Sequence, residues 1–168
     1  MKRLVLVLVL FTVLAAGAVF ADHPKGKLGI GVQGGTSGSW ESGAGLHNGG
    51  ALSLKIPSIP LFWAARIDIW DGFFFLGVSG DNYLIDNLLV KDIGLSWYLG
   101  LGLGVGIGLG DTFALGISGR LPIGLSFQPI PLLEVFLQVV PSLGVSVMPS
   151  FHFPYGGWGG DIGIRLWF

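Results

Sequence analysis

The sequence predicts an all-β protein, an eight-stranded antiparallel up-and-down transmembrane β-barrel, on three observations. Residues 93–109 read IGLSWYLGLGLGVGIGL, large and apolar at every odd position, with Gly100, Gly102, Gly104, Gly106 and Gly108 between them. A period of two marks one face of a strand, not of a helix. Second, 51% of the residues are hydrophobic, 30 are glycine and only 11% are charged. A soluble domain carries about 25% charged residues, so this surface is not an ordinary water-facing one. Third, no apolar run beyond residue 21 reads as a helical span. For an exported chain this apolar, a closed barrel is the remaining membrane solution. The rival to a fifth strand is a transmembrane helix with close contacts at Gly100, Gly104 and Gly108. Glycine at every second position would surround such a helix, at about 1 kcal/mol each.

The N-terminus supplies the address. Lys2 and Arg3 precede an apolar run from Leu4 to Leu14, followed by small residues and Val19-Phe20-Ala21. That pattern is a secretory signal peptide over 1–21, with cleavage expected after Ala21. A retained anchor is the alternative, but the run falls short of the roughly 20 residues a span needs. Residues 22–168 suit one barrel domain. The chain has no cysteine, so an exported protein of this kind has no disulfide framework. A net charge of −1 leaves no basic stripe for nucleic acid.

Eight alternating segments follow in order. The first, 27–33, sets Leu28, Ile30 and Val32 against Gly29, Gly31 and Gln33, and leads into a polar Gly/Ser loop over 34–49. The second, 51–56, closes on Pro57-Ser58-Ile59-Pro60, a turn signal. The third, 61–70, alternates Trp63, Ala65, Ile67 and Ile69 with Ala64, Arg66 and Asp68, and Asp71-Gly72 then reverses the chain as a hairpin. The fourth spans 73–84, and the fifth ends at Gly110-Asp111. The apolar Leu88-Leu89-Val90 suits no turn and extends these two strands. The sixth, 113–127, carries Pro122 mid-strand, where a closed barrel has no free edge, so a bulge is expected there. Pro141 raises the same difficulty in the seventh, 132–145. A loop over 146–157, with Pro149, His152 and Pro154, precedes the eighth, 158–168.

The direction of the two faces follows from volume. An eight-stranded barrel has an interior just wide enough for side chains to fill. The many Leu, Ile, Val, Trp and Phe side chains do not fit there, whereas Gly, Ser and Ala do. The apolar face therefore points to lipid. Trp63, Trp97, Phe127 and Phe168 near one rim, and Phe74, Phe113 and Trp158 near the other, share that parity, as two interfacial girdles would.

The chain at this point resembles the small outer-membrane barrel proteins, of which OmpX-like and OmpA-like transmembrane domains are familiar members. The ending Ile162-x-Ile164-x-Leu166-x-Phe168 looks like the C-terminal signal read by the barrel assembly machinery. Arg120-x-Pro122-x-Gly124-Leu125, Glu134-x-Phe136 and Gly163-Ile164-Arg165 look like uncharacterised small barrel families of diderm bacteria. The resemblance spans residues 27–168 and implies an outer-membrane location with periplasmic termini; it carries no established activity.

The polar face holds Lys55, Arg66, Arg120 and Arg165 with Asp68, Asp81, Glu134 and Asp161, four of each sign. Unpaired charge is costly in a narrow lumen and arginine forks suit carboxylates, so these residues read as an ion-pair network that plugs the barrel. Glu134 and Asp161 are the acidic candidates beside Arg120 and Arg165. The other reading is a polar path for ions or small solutes. Bulky Tyr98, Phe136 and Trp167 favour the plug, while the glycine wall of the fifth strand leaves room for water.

Enzymatic signals are weak. Some small outer-membrane barrels, the lipid A palmitoyltransferase type, use His, Asp and Ser near the cell surface. Here His47 and His152 lie in the two longest loops with Ser37, Ser39 and Ser150 nearby, a placement equally suited to solvated loop residues. No catalytic, metal or cofactor site is assigned, although His23, at the expected mature N-terminus, has metal-binding chemistry. The Gly100-x-Gly102 repeats precede no helix and are not a phosphate cradle. The expected role is structural or surface-interactive, through the loops over 34–49 and 146–157. The partners are outer-membrane lipid, the assembly machinery during biogenesis and an extracellular ligand of the loops.

Overall fold

The computed structural model describes residues 23–24, 26–40, 45–70, 73–110 and 113–168. The expected signal segment with its cleavage point after Ala21, the Asp71-Gly72 hairpin and Asp111 lie outside the described residues.

Alternation of bulky and small residues produces nine strands among the described residues. They are β1 (Gly29–Ser39), β2 (His47–Lys55), β3 (Leu61–Trp70), β4 (Phe73–Val90), β5 (Leu95–Leu109), β6 (Ala114–Arg120), β7 (Ile123–Ile130), β8 (Leu133–Met148) and β9 (His152–Trp167). Each pairs antiparallel with its neighbours, and β9 returns to β1, so the sheet closes on itself. Strands β6 and β7 both pair β5 on one side and β8 on the other. They are two halves of one stave, which makes the ring eight staves. Leu28 and Phe168 exchange backbone hydrogen bonds of 3.0 and 2.8 Å, which places both ends of the barrel chain at one mouth, here the terminal mouth. The opposite one is the distal mouth.

The expected bulge at Pro122 is not there. Arg120 faces Ser142 and Ile123 faces Val139 in one unbroken register, and the β5 side is equally continuous from Gly102–Arg120 to Leu99–Ile123. Pro122 still accepts from the Gly100 N–H at 2.7 Å, and Pro141 accepts from the Leu121 N–H at 3.0 Å. Each proline withholds only its missing donor. The two losses fall side by side at Leu121-Pro122, and the stave is interrupted without an added residue.

A true bulge occurs elsewhere. Tyr83 faces Gly100 and Ile85 faces Leu99, so Leu84 is an extra residue in β4. An extra residue reverses which face each later side chain occupies. Asp81 and Tyr83 point inward at odd positions; beyond the bulge Asp86, at an even one, points inward opposite Tyr98.

Strands also run further than alternation indicates. Residues 35–37 and 47–49, expected as loop, pair with each other as β1 and β2, and Gly38 and Ser39 pair with β9. His152 and Pro154 belong to β9, and β4 continues to Val90 before a 3-10 turn, Lys91–Ile93. Thus His47 and His152 sit at distal strand ends rather than in long loops. The reason is that a backbone ladder satisfies N–H and C=O groups whatever the side chains are. These distal extensions lack the apolar face that reveals a strand in sequence.

The two faces are inverted relative to a water-soluble protein. Outward residues Leu52, Ile69 and Ile162 are more than 60% exposed, while Glu134 and Tyr98 are wholly buried inside. The lumen is filled by large side chains seated over glycine. A Cβ at Gly124 would lie 2.5 Å from the Tyr98 hydroxyl oxygen and 2.6 Å from the Leu137 carbonyl oxygen. The wall of β5 is occupied at Gly102, which faces the Asp81 carboxylate, and at Gly104, which faces the Arg120 side chain, and it borders open space from Gly104 to Gly108.

Gly124→Val therefore displaces Tyr98 and lowers stability to urea by about 1–3 kcal/mol, the range for overpacking a filled core. Gly34→Ala on the outer face, where the nearest atom is 3.6 Å away, changes it by less than about 0.5 kcal/mol.

Candidate functional site

The lumen is layered, and its lowest layer is built around Glu134 near the start of β8. Glu134 Oε1 accepts from Ser126 Oγ at 2.9 Å and from His23 Nε2 at 2.9 Å. Its Oε2 accepts from Arg165 Nη1 at 2.7 Å and from Trp167 Nε1 at 2.9 Å. All four lone-pair sites of a wholly buried carboxylate are filled. Arg165 also donates to Ser53 Oγ through Nε and Nη2, at 3.3 and 2.9 Å. Its guanidinium carbon lies 4.8 Å from the Phe62 ring centre and 4.7 Å from that of Phe136, distances at which a cation is held by ring faces.

His23 closes this layer from the N-terminal segment. Its ring nitrogens meet carboxylates on both sides, Nδ1 at Asp86 and Nε2 at Glu134, and its backbone N–H donates to Asp86 Oδ2 at 2.7 Å. A neutral imidazole donates from one nitrogen only, so two carboxylate partners call for the doubly protonated cation. Around it Phe62, Tyr83 and Tyr98 form a stack with ring centres 4.0 and 4.3 Å apart. The His23 ring stands edge-on to the first two, at 5.2 and 5.3 Å. Consecutive staves β3, β4 and β5 supply one ring each, and Trp167 completes the cluster from β9. These aromatic and ionic groups occlude the terminal mouth.

The middle layer carries the other pairs. Arg66 Nε donates to both oxygens of Asp68 at 2.9 Å, and its Nη1 donates to Asp161 Oδ1 at 2.6 Å. Arg120 grips Asp81 through Nε at 3.0 Å and Nη2 at 3.2 Å. Asp161 Oδ2 also accepts from Gln33 at 3.3 Å and Gln138 at 3.5 Å. Gln138 in turn accepts from the Tyr98 hydroxyl at 3.0 Å, which joins the middle layer to the lower one.

Seven of the eight charged residues singled out in the sequence thus meet, in two pairs and one Arg66–Asp68–Asp161 triad. Arg165 has Glu134, while Arg120 finds Asp81 rather than Glu134 or Asp161, and Asp161 goes to Arg66. Lys55 leaves the network: its Nζ donates to the Ile56 and Ile59 carbonyls at 3.0 and 2.6 Å, holding the turn at the terminal mouth. Sequence reasoning missed Asp86 and His23 in the lumen. With them the inward charges among the described residues are Asp68, Asp81, Asp86, Glu134 and Asp161 against Lys55, Arg66, Arg120, Arg165 and cationic His23, which balance. The missing cation was signalled only by one unassigned histidine close to the expected cleavage point.

Above the middle layer the lumen opens into a cavity of about 400 Å³. Arg66, Asp68, Arg120 and Asp161 line its base, and Phe75, Tyr155, His47 and Ser146 its distal part. His47 lies on β2 and His152 on β9, with β1 between these staves. Among the described residues no group of His, Asp and Glu is arranged to hold a metal ion.

The solved structures this fold is similar to are small barrels. The crystal structure of Neisserial surface protein A superposes with a TM-score of 0.61 at 13% identity, covering 84% of this chain and 97% of that one. The N-terminal β-barrel domain of Pseudomonas aeruginosa OprF superposes with a TM-score of 0.53 at 12% identity, covering 86% and 98%. No protein-family model and no curated protein matches the sequence. At these identities the likeness is one of fold, an eight-stranded barrel.

Glu134→Gln removes the charge that compensates Arg165 and His23, both buried. The expected loss of stability is about 3–5 kcal/mol, read as a lower urea midpoint of the refolded barrel in detergent.

Proposed function

We propose that the chain is an integral outer-membrane barrel, closed at its terminal mouth, with a structural or surface-interaction role exercised from its distal mouth. The observation that carries this reading is the inversion of its faces. A continuous exterior of Leu, Ile, Val and aromatic residues has no counterpart on a water-soluble surface, and suits lipid around a barrel. Paired charge and stacked rings seal the terminal part of the interior, which suits a presenting scaffold rather than a catalyst. The outward-facing Ile162, Ile164, Leu166 and Phe168 on and beside β9 form an apolar row, which suits recognition by the assembly machinery. Residues 1–21 serve as the export signal, and the terminal mouth faces the periplasm.

The alternative, a narrow channel, takes its support from the outward cavity. It requires the His23–Glu134 layer to move, because aromatic rings and ion pairs occupy that level.

In planar bilayers the mature barrel is expected to show no steady large single-channel current, and His23→Ala, which unseats the plug, to show measurable conductance. Large currents from the unmodified protein would overturn the closed reading. Orientation has its own measurement. A cysteine at Ser150, exposed beyond β8, reacts with an impermeant maleimide on whole cells. Labelling at Ser58 in the 57–60 turn instead inverts the barrel.

A further inference from the structure

We propose that the distal cavity is a binding site for an uncharged, polyhydroxylated ligand of one or two sugar rings. This rests on the reading of the barrel as closed below and open outward. The volume of about 400 Å³ falls within the roughly 300–1,000 Å³ typical of small-molecule sites.

Its wall carries a built aromatic surface. Gly106 of β5 and Gly116 of β6 are directly paired. A Cβ at Gly106 would fall 2.5 Å from Cε2 of Phe75, and one at Gly116 would fall 2.7 Å from Cε1 of Tyr155. Two strands therefore omit their side chains at one paired position, and rings from β4 and β9 take the vacated space. Both rings line the cavity. The C–H face of a pyranose matches such a surface, since aromatic rings present a negative face to weakly positive hydrogens.

The base of the cavity supplies the polar half of the site. Arg120 commits Nε and Nη2 to Asp81, and among the described residues no hydrogen bond engages its Nη1, while the side chain stays partly exposed where it lines the cavity. A ligand hydroxyl supplies an acceptor for such a guanidinium donor. Ser79 and Ser118 on the surrounding wall offer hydroxyls that both donate and accept, as hydrogen bonding to a polyol requires.

Charge decides against the other ligand classes. The Arg and Asp groups that line the cavity, Arg66 and Arg120 with Asp68 and Asp161, already balance one another. An anion or cation entering this narrow space would add charge with no counterpart, at a desolvation cost that hydroxyl groups do not incur.

The test uses residues 22–168 refolded in a detergent without a sugar headgroup, with conductance recorded on the same preparation. Glucose and N-acetylglucosamine are titrated, with benzoate as a planar anion, and saturation-transfer NMR and tryptophan fluorescence report binding. Saturable millimolar binding of a sugar is expected. Phe75→Ala weakens it by about tenfold, the order of one aromatic contact. Ser118→Trp, which fills the cavity from β6 two residues beyond Gly116, abolishes it while heat-modifiable gel migration is kept. Failure of both sugars to saturate a non-conducting barrel overturns the inference and leaves the barrel reading intact. Tighter binding of benzoate than of either sugar also overturns it. A conducting preparation overturns the closed reading instead.

Discussion

Glu134 is the constraint around which the rest of the lumen is arranged. A carboxylate excluded from water is tolerated only when its lone pairs are satisfied and its charge is compensated. Ser126, His23, Arg165 and Trp167 meet that demand together, and they come from β7, the N-terminal segment and β9. Arg165 then needs Ser53 on β2 and the faces of Phe62 and Phe136. His23 needs a second carboxylate, Asp86 on β4. One buried charge thus ties together staves from all sides of the ring, and a single substitution there is felt across the barrel.

The glycine content follows from the same narrow interior. In an eight-stave barrel each large inward side chain must find a bare neighbour. Tyr98 lies over Gly124, Phe136 over Gly163, Asp81 against Gly102 and Phe75 over Gly106. Glycine in these strands marks where a side chain from the next stave passes. The two prolines obey a related economy of space: Pro122 is buried against Gly100 with its missing donor on the β5 side, and the missing donor of Pro141 faces the adjacent Leu121, so the two gaps fall next to each other.

The lumen is polarised along its axis. Toward the terminal mouth, rings and paired charges leave no room, and toward the distal mouth the same alternation of small and large residues leaves a cavity. The difference lies in side-chain size at equivalent inward positions. Lys55, Phe62, Tyr83, Tyr98, Glu134 and Trp167 face inward near the termini, whereas Ser37, Ser79, Gly104 and Ser142 do so nearer the other end.

The fold was legible in the sequence because a strand in a lipid-facing barrel writes a period of two over many residues, as β5 does. The identity of the outward face was legible too, since the apolar side chains exceed the volume of an eight-stave lumen. Most inward charges could be named, since strand parity places them without knowledge of their partners. What parity cannot supply is anything that breaks it. The extra residue Leu84 turns Asp86 inward, and only the β4–β5 register reveals it. Arg120 is drawn to Asp81 instead of Glu134 because pairing depends on height and tilt within the ring, which no single strand encodes. The distal extensions of β1, β2 and β9 are held by backbone ladders that leave no hydrophobic trace. His23 belongs to no strand, and its place between Asp86 and Glu134 exists only once the staves have closed around an unfilled, negatively charged gap. The sequence by itself determined which residues could face the lumen; the closed barrel decided which of them meet, because contact across a ring is set by register and not by order along the chain.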